Sequence, residues 1–211
     1  MVECRIKLYS TLGTFALKQQ HLYWGMRFWG WALHYLQDLT QPYHSSMLPG
    51  QSTIKLLLLS IFASKEKVNA LVTLVSNRHL FVENYLFYKI KEQLITHNFS
   101  HPLIRALTLE DKDSIKLPNH ISFAELAREV ISLEAHERGN TTHAALIRSF
   151  PAKYVNDPHY NFSVSEKAFD SYQLLKTISG PKESLQLDQC LVDFMHSFGK
   201  VTNQVVESMQ L

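Results

Sequence analysis

His34 and Asp38 stand four residues apart, His44 follows Asp38 by six, and His79 and Glu83 repeat the four-residue offset further along. Imidazole nitrogens and carboxylate oxygens at these spacings could bind metal, because residues i and i+4 of a helix lie one turn apart on one face. Either pair alone is a weak signal: a solvated His–carboxylate pair adds only a few tenths of a kcal/mol to a helix, and such pairs arise often. Two pairs on two helices, joined by His44 just past a proline that fixes chain direction, are how helical bundles build multi-metal sites. Neutral imidazole with carboxylate oxygen favours zinc over calcium or magnesium, which prefer all-oxygen shells.

Helices must position these residues, since the apolar period along the chain is mostly helical and no alternating strand pattern longer than about four residues occurs. Residues 15–40 predict one long helix that ends near Gln41, because Pro42 restricts the residue before it. Its rings, Tyr23, Trp24, Phe28, Trp29, Trp31 and Tyr35, are expected in the core, since so many on one helix must mostly be buried. The alternative for them is a lipid or choline pocket. PGQST at 49–53 predicts a turn with Ser52 or Thr53 as N-cap, followed by helices over 54–64 and 66–96. HNFSHP at 97–102 and DKDSIKLPNH at 111–120 read as loops. Ser122 and Glu125 predict a capping box that opens a helix over 123–138, closed by Gly139 and Asn140, with a shorter helix at 141–149. SFPAKYVNDPHYNF reads as irregular, and helices at 165–178 and 184–209, separated by SGPKES, finish the chain. The expectation is a single all-α domain, a multi-helix bundle over 1–211, with no repeat and no low-complexity tract.

A chain of 211 residues, 45% apolar and 19% charged, supports one sizeable core. Its formal charge of +2 does not call for a nucleic acid or an anionic surface. Cys4 and Cys190 form no disulfide framework. The most apolar run, IKLLLLSIFA at 54–63, is about half the roughly 20 residues needed to span a bilayer, and a buried helix is expected there, with membrane docking as the alternative. The segment MVECRIKLYSTLGTFALKQQ has Arg5 and Lys7 before an apolar stretch, as a signal peptide does. Ser10, Thr11, Gly13 and Thr14 dilute that stretch and no cleavage site follows, so a helix is expected. Neither a GxSxG nor a Walker pattern occurs.

HYLQDLTQPYH, an HxxxD followed by Gln-Pro and a histidine, and then HLFVE, an HxxxE, resemble the central motif of the zinc-dependent phospholipase C and P1/S1 nuclease superfamily. The resemblance covers residues 24–90; beyond it only helical character agrees, and residues 54–75 form an insert. It implies a bundle of the phospholipase C/P1 nuclease type. It also implies that His34 and Asp38 ligate one zinc, with Asp38 bridging, and that His44, His79 and Glu83 hold a neighbouring one, in a complete site of two or three Zn2+. In the family an early histidine, a later Asp and His, and the mature amino terminus precede the motif. Only 33 residues stand before His34 here and no matching pair is among them, so the chain is expected to be amino-terminally truncated relative to the family. His21 would fall on the opposite face of a continuous helix; Glu3, Cys4 and the amino group are weak substitutes. The family's upstream general base has no counterpart here, so no catalytic residue is assigned.

The implied activity is phosphodiester hydrolysis of phospholipid head groups by a zinc cluster, with peripheral membrane contact. The apolar insert and the absence of a Gly-Gly-Asn stretch favour phospholipid over nucleic acid. The alternatives are a P1/S1-type nuclease and an inactive helical remnant that serves as an interaction domain. The resemblance also implies export. His136 and His143 are expected to be solvated, because Gly139 and Asn140 would break the helix between them. His97 and His101 are expected in a loop, not as a helical metal pair.

Overall fold

Gln20 takes the left-handed conformation, with φ 61°, and splits the expected 15–40 helix in two. In the computed structural model, which describes residues 2–46, 48–108, 122–165, 169–178 and 181–209, α1 (Val2–Lys18) and α2 (Leu22–Asp38) form a hairpin. The His21 amide donates to the Ala16 carbonyl and the Gln20 amide to that of Leu17, the paired bonds of a Schellman turn. Glycine usually fills the left-handed position; glutamine does so here at a steric cost of about 1 kcal/mol. Gln20→Gly should therefore stabilise the protein by about 0.5–1 kcal/mol, seen as a higher urea midpoint with unchanged slope. Gly13 lets the hairpin close, since a Cβ there would lie 2.5 Å from Cδ1 of Trp29.

Every regular element among the described residues is helical. After the hairpin come the single turn α3 (Pro42–Ser45), α4 (Thr53–Phe62) and α5 (Lys65–Ile95), the last about 46 Å long at 1.5 Å per residue. Ser52 caps α4, accepting from the Lys55 amide, as PGQST implied. The HNFSHP loop then leads into α6 (Pro102–Thr108), whose first turn His101 caps by accepting from the Leu103 amide, and His97 and His101 form no helical pair. The 111–120 loop lies outside the described residues. The expected capping box opens α7 (Phe123–Leu126), which runs through a π-helical turn (Ala127–Ile131) into α8 (Ser132–Ser149). Single turns α9 (Ala152–Val155) and α10 (Phe162–Ser165) interrupt the irregular segment, and α11 (Ser171–Ile178) and α12 (Pro181–Ser208) follow.

The expected stop at Gly139 and Asn140 is not there: α8 runs through both. Ser46 and Pro49 pack beside Gly139, and a Cβ there would meet them only at ordinary contact distances of 3.4–3.6 Å. Asn140 accepts the Gly50 amide through Oδ1 at 2.9 Å instead of capping the helix. His136 and His143 thus share one continuous helix; His136 is exposed, as expected, whereas His143 is buried. The first meets Oγ of Ser46 through Nδ1 at 2.8 Å; the second is buried against Gly50, whose φ is 88° and which has no room for a Cβ.

Burial, and then the charge of Arg78, push the His143 imidazole down to about 4. An unfolded histidine protonates near 6.5, so between those values the unfolded chain binds more protons and stability falls as pH drops. The loss from this residue is about 2 kcal/mol at pH 5. His143→Gln should show a smaller fall in urea midpoint between pH 7 and pH 5 than the parent; an equal fall would assign the effect elsewhere.

The buried apolar side chains form two clusters joined by α12. One gathers Ile6, Trp29, Leu36, Leu126, Ile131 and Val205; the other gathers Phe81, Tyr85, Phe150, Phe162, Leu187 and Leu191. Into the second, Lys89 carries a buried ammonium that pairs with Asp188, while the Tyr85 hydroxyl donates to Oδ1 of the same carboxylate at 3.0 Å.

Two expectations about burial fail. Of the six rings on α2 only Trp29 is buried; Tyr23 and Trp24 are 64% and 50% exposed. The hairpin takes just one stripe of α2 inward, through Gly25, Trp29, Ala32 and Leu36; Phe28, Trp31 and Tyr35 gather around Tyr9 on its outer side, with Trp24 against Phe28 and Tyr23 against Trp24. The IKLLLLSIF helix is not buried either, since Ile54, Leu57, Leu58, Ile61 and Phe62 are exposed.

Candidate metal centre

Asp38 ends α2, and the chain turns through Thr40, whose hydroxyl donates to the Gln37 carbonyl at 2.7 Å. Pro42, with its fixed φ and no amide hydrogen, then occupies the first position of α3. Ser45 ties this turn back to the Leu39 carbonyl at 2.6 Å, and Tyr43 is buried, which leaves His44 on the open side. The rotation of α5 is set by its opposite face. Asn77 bonds the Tyr160 carbonyl and the Phe162 amide at 2.6 and 3.0 Å. Arg78 donates to the Val155 carbonyl and to Oδ1 of Asn156, both at 2.8 Å. With Phe81, Val82 and Tyr85 also inward, His79 and Glu83 remain on the side facing α3.

His44, His79 and Glu83 converge there: each offers one ligand atom, and the three atoms lie within 4.8 Å of one another. Nε2 of His79 is 2.9 Å and Nε2 of His44 is 3.9 Å from Oε1 of Glu83, and the two rings stand edge to face with centroids 4.4 Å apart. Ligand atoms on 2.1 Å bonds at the tetrahedral angle lie about 3.4 Å apart, so small side-chain rotations would close the set on one zinc ion and leave a fourth position open. Among the described residues no other group of three or more His, Cys, Asp or Glu side chains comes so close.

Burial pushes the Glu83 carboxyl up, but the two imidazoles beside it outweigh that and hold it down at about 2. It is therefore an anion throughout the working pH range, as a ligand must be. Gln41, itself buried, donates from Nε2 to Oε1 of Glu83 at 2.9 Å. Such outer partners fix the orientation of a ligating carboxylate. Nothing in the sequence marks Gln41 for this role beyond its place beside Pro42 in the Gln-Pro of the HYLQDLTQPYH motif.

The His34–Asp38 pair stands apart from this group. Its Nε2 and Oδ2 atoms are 3.4 Å apart, and His34 is exposed. Asp38 does line a groove of about 310 Å3 together with Gln41, His44 and Glu83, whose far wall is apolar, including Leu86, Ile90 and Phe194. A ligand in that groove would touch the carboxylates of both pairs. No protein-family model, curated protein or solved structure matches the chain.

Proposed function

We propose that this chain is a zinc-dependent phosphodiester hydrolase of the phospholipase C type, in a bundle of the phospholipase C/P1 nuclease kind, acting on phospholipid head groups. The observation that carries the reading is the convergence of His44 with His79 and Glu83, residues from distant parts of the chain, at the positions where the motif resemblance puts neighbouring ligands. Two imidazoles and a carboxylate are a donor set of catalytic zinc sites. A zinc ion held there would supply Lewis acidity toward phosphate oxygens and bring the ionisation of a water molecule near pH 7. Gln41 holds the Glu83 carboxylate in place, and the groove gives the phosphodiester a polar floor with apolar substituents against Leu86 and Phe194. The resemblance adds a second ion at His34 and Asp38; two donors alone hold an ion weakly, so that position needs further ligands. The exposed apolar helix α4 supports a lipid substrate over a nucleic acid.

Elemental analysis of the purified chain beside His44→Ala tests this. At least one zinc per chain, lost in the variant together with phosphatidylcholine hydrolysis, is the expected result. A chain that holds no zinc and keeps its melting temperature after chelation would overturn it. Cleavage of single-stranded DNA without lipid hydrolysis would transfer the same site to the nuclease reading.

A further inference from the structure

A cleft of about 380 Å3 runs between α4 and α5, within the size range of ligand pockets. Its walls are almost wholly aliphatic, with Leu56 and Leu59 from α4 and Leu71, Val72 and Val75 from α5. His79 is part of the same lining, so the cleft and the candidate metal group share a side chain.

The outer face of α4 has a different character. Ile54, Leu57, Leu58, Ile61 and Phe62 are between 51% and 79% exposed. At 100° per residue these five occupy an arc of about 140°, and Leu56 and Leu59 lie outside it, on the cleft side. Exposed Lys55 lies next to this arc on α4, and exposed Lys65 and Lys67 follow it in the first turn of α5, against the one carboxylate of Glu66. An apolar arc rimmed by lysines fits an interface in which acyl chains meet anionic head groups. A protein partner would be served by the apolar arc alone; the basic rim favours a lipid surface.

From this we infer that α4 docks the protein on an anionic bilayer and that the cleft behind it receives one acyl chain of the phospholipid, which brings the phosphodiester to His44, His79 and Glu83. The acyl-chain assignment rests on the hydrolase reading; the docking does not.

The test uses the full chain, metal-free and zinc-loaded, sedimented with phosphatidylcholine vesicles with and without phosphatidylglycerol. The parent should bind, and more strongly with phosphatidylglycerol. Leu58→Asp/Ile61→Asp should lose at least about tenfold in partitioning, because two charges enter the docked face. Its hydrolysis of bis-p-nitrophenyl phosphate, which needs neither docking nor the cleft, should stay within about twofold of the parent. A parent that stays in solution with both vesicle types, or a variant that sediments as the parent does, overturns the inference. A parent dimer in velocity sedimentation that the variant splits to monomers would also overturn it, by assigning the face to a second copy. Vesicle binding lost in the variant, with no hydrolysis by either protein, upholds the docking and removes the hydrolase reading instead.

Discussion

Glu83→Gln should abolish tight zinc binding while leaving the fold intact. Glu83 is the only carboxylate of the group, reaches solvent, and is held at about 2 by the two imidazoles. The amide keeps the shape, so the bond donated by Gln41 can persist, but it brings no negative charge to offset the metal. Removing an outer-shell partner costs about 10–100-fold in metal affinity, and removing a ligand should exceed that. Competition with a chelating dye should therefore show a loss above about 100-fold for Glu83→Gln and between about 10- and 100-fold for Gln41→Ala. Unchanged circular dichroism would separate these losses from unfolding. A Glu83→Gln protein that binds zinc as the parent does would remove Glu83 from the site, and with it the proposed chemistry.

The largest loss of stability is expected from Asp188→Ala. Lys89 is buried and its ammonium pairs with Asp188; beside that carboxylate it meets the Tyr85 hydroxyl at 3.5 Å and the faces of the Tyr85 and Tyr172 rings, each 5.5 Å from the centroid. Without the carboxylate the charge stays desolvated and unpaired, at a cost of about 3–5 kcal/mol. Lys89→Met removes the charge and fills similar volume, and should be close to neutral, since an apolar side chain avoids the desolvation that the pair must offset. Urea unfolding of both variants distinguishes the two. Equal destabilisation would mean that the pair, and not the stranded charge, sets the energy.

The convergence of His44, His79 and Glu83 was legible in part because some of its signals are local. His79 and Glu83 lie one turn apart on a single helix, and Pro42 marks where the chain must turn before His44. The motif resemblance already assigns His34 and Asp38 to one ion and the other three residues to another; what no local signal carries is the bond from Gln41 to Glu83, which depends on how the chain turns between α2 and α5. The hairpin at Gln20 was missed for want of a glycine, since the left-handed position carries no mark when glutamine fills it. Gly139 and Asn140 misled in the opposite way: a Gly-Asn pair often ends a helix, but here the helix runs on and Asn140 accepts the Gly50 amide instead. Burial failed for α2 and α4 for one reason. A run of apolar residues says that a surface wants covering, but not that this chain covers it.

The π-helical turn at Ala127–Ile131 gives the site a hidden dependence on phase. Its extra residue rotates everything downstream by about 100° relative to an uninterrupted α-helix. His136, Gly139, Asn140 and His143 meet Ser46, Pro49 and Gly50 from that rotated face, and Ser46 stands two residues after His44. A deletion there would leave a more regular helix and a misaligned clasp. Length in that stretch is therefore more tightly constrained than residue identity, and the alignment of one candidate ligand is set by a residue count about 85 positions further along the chain.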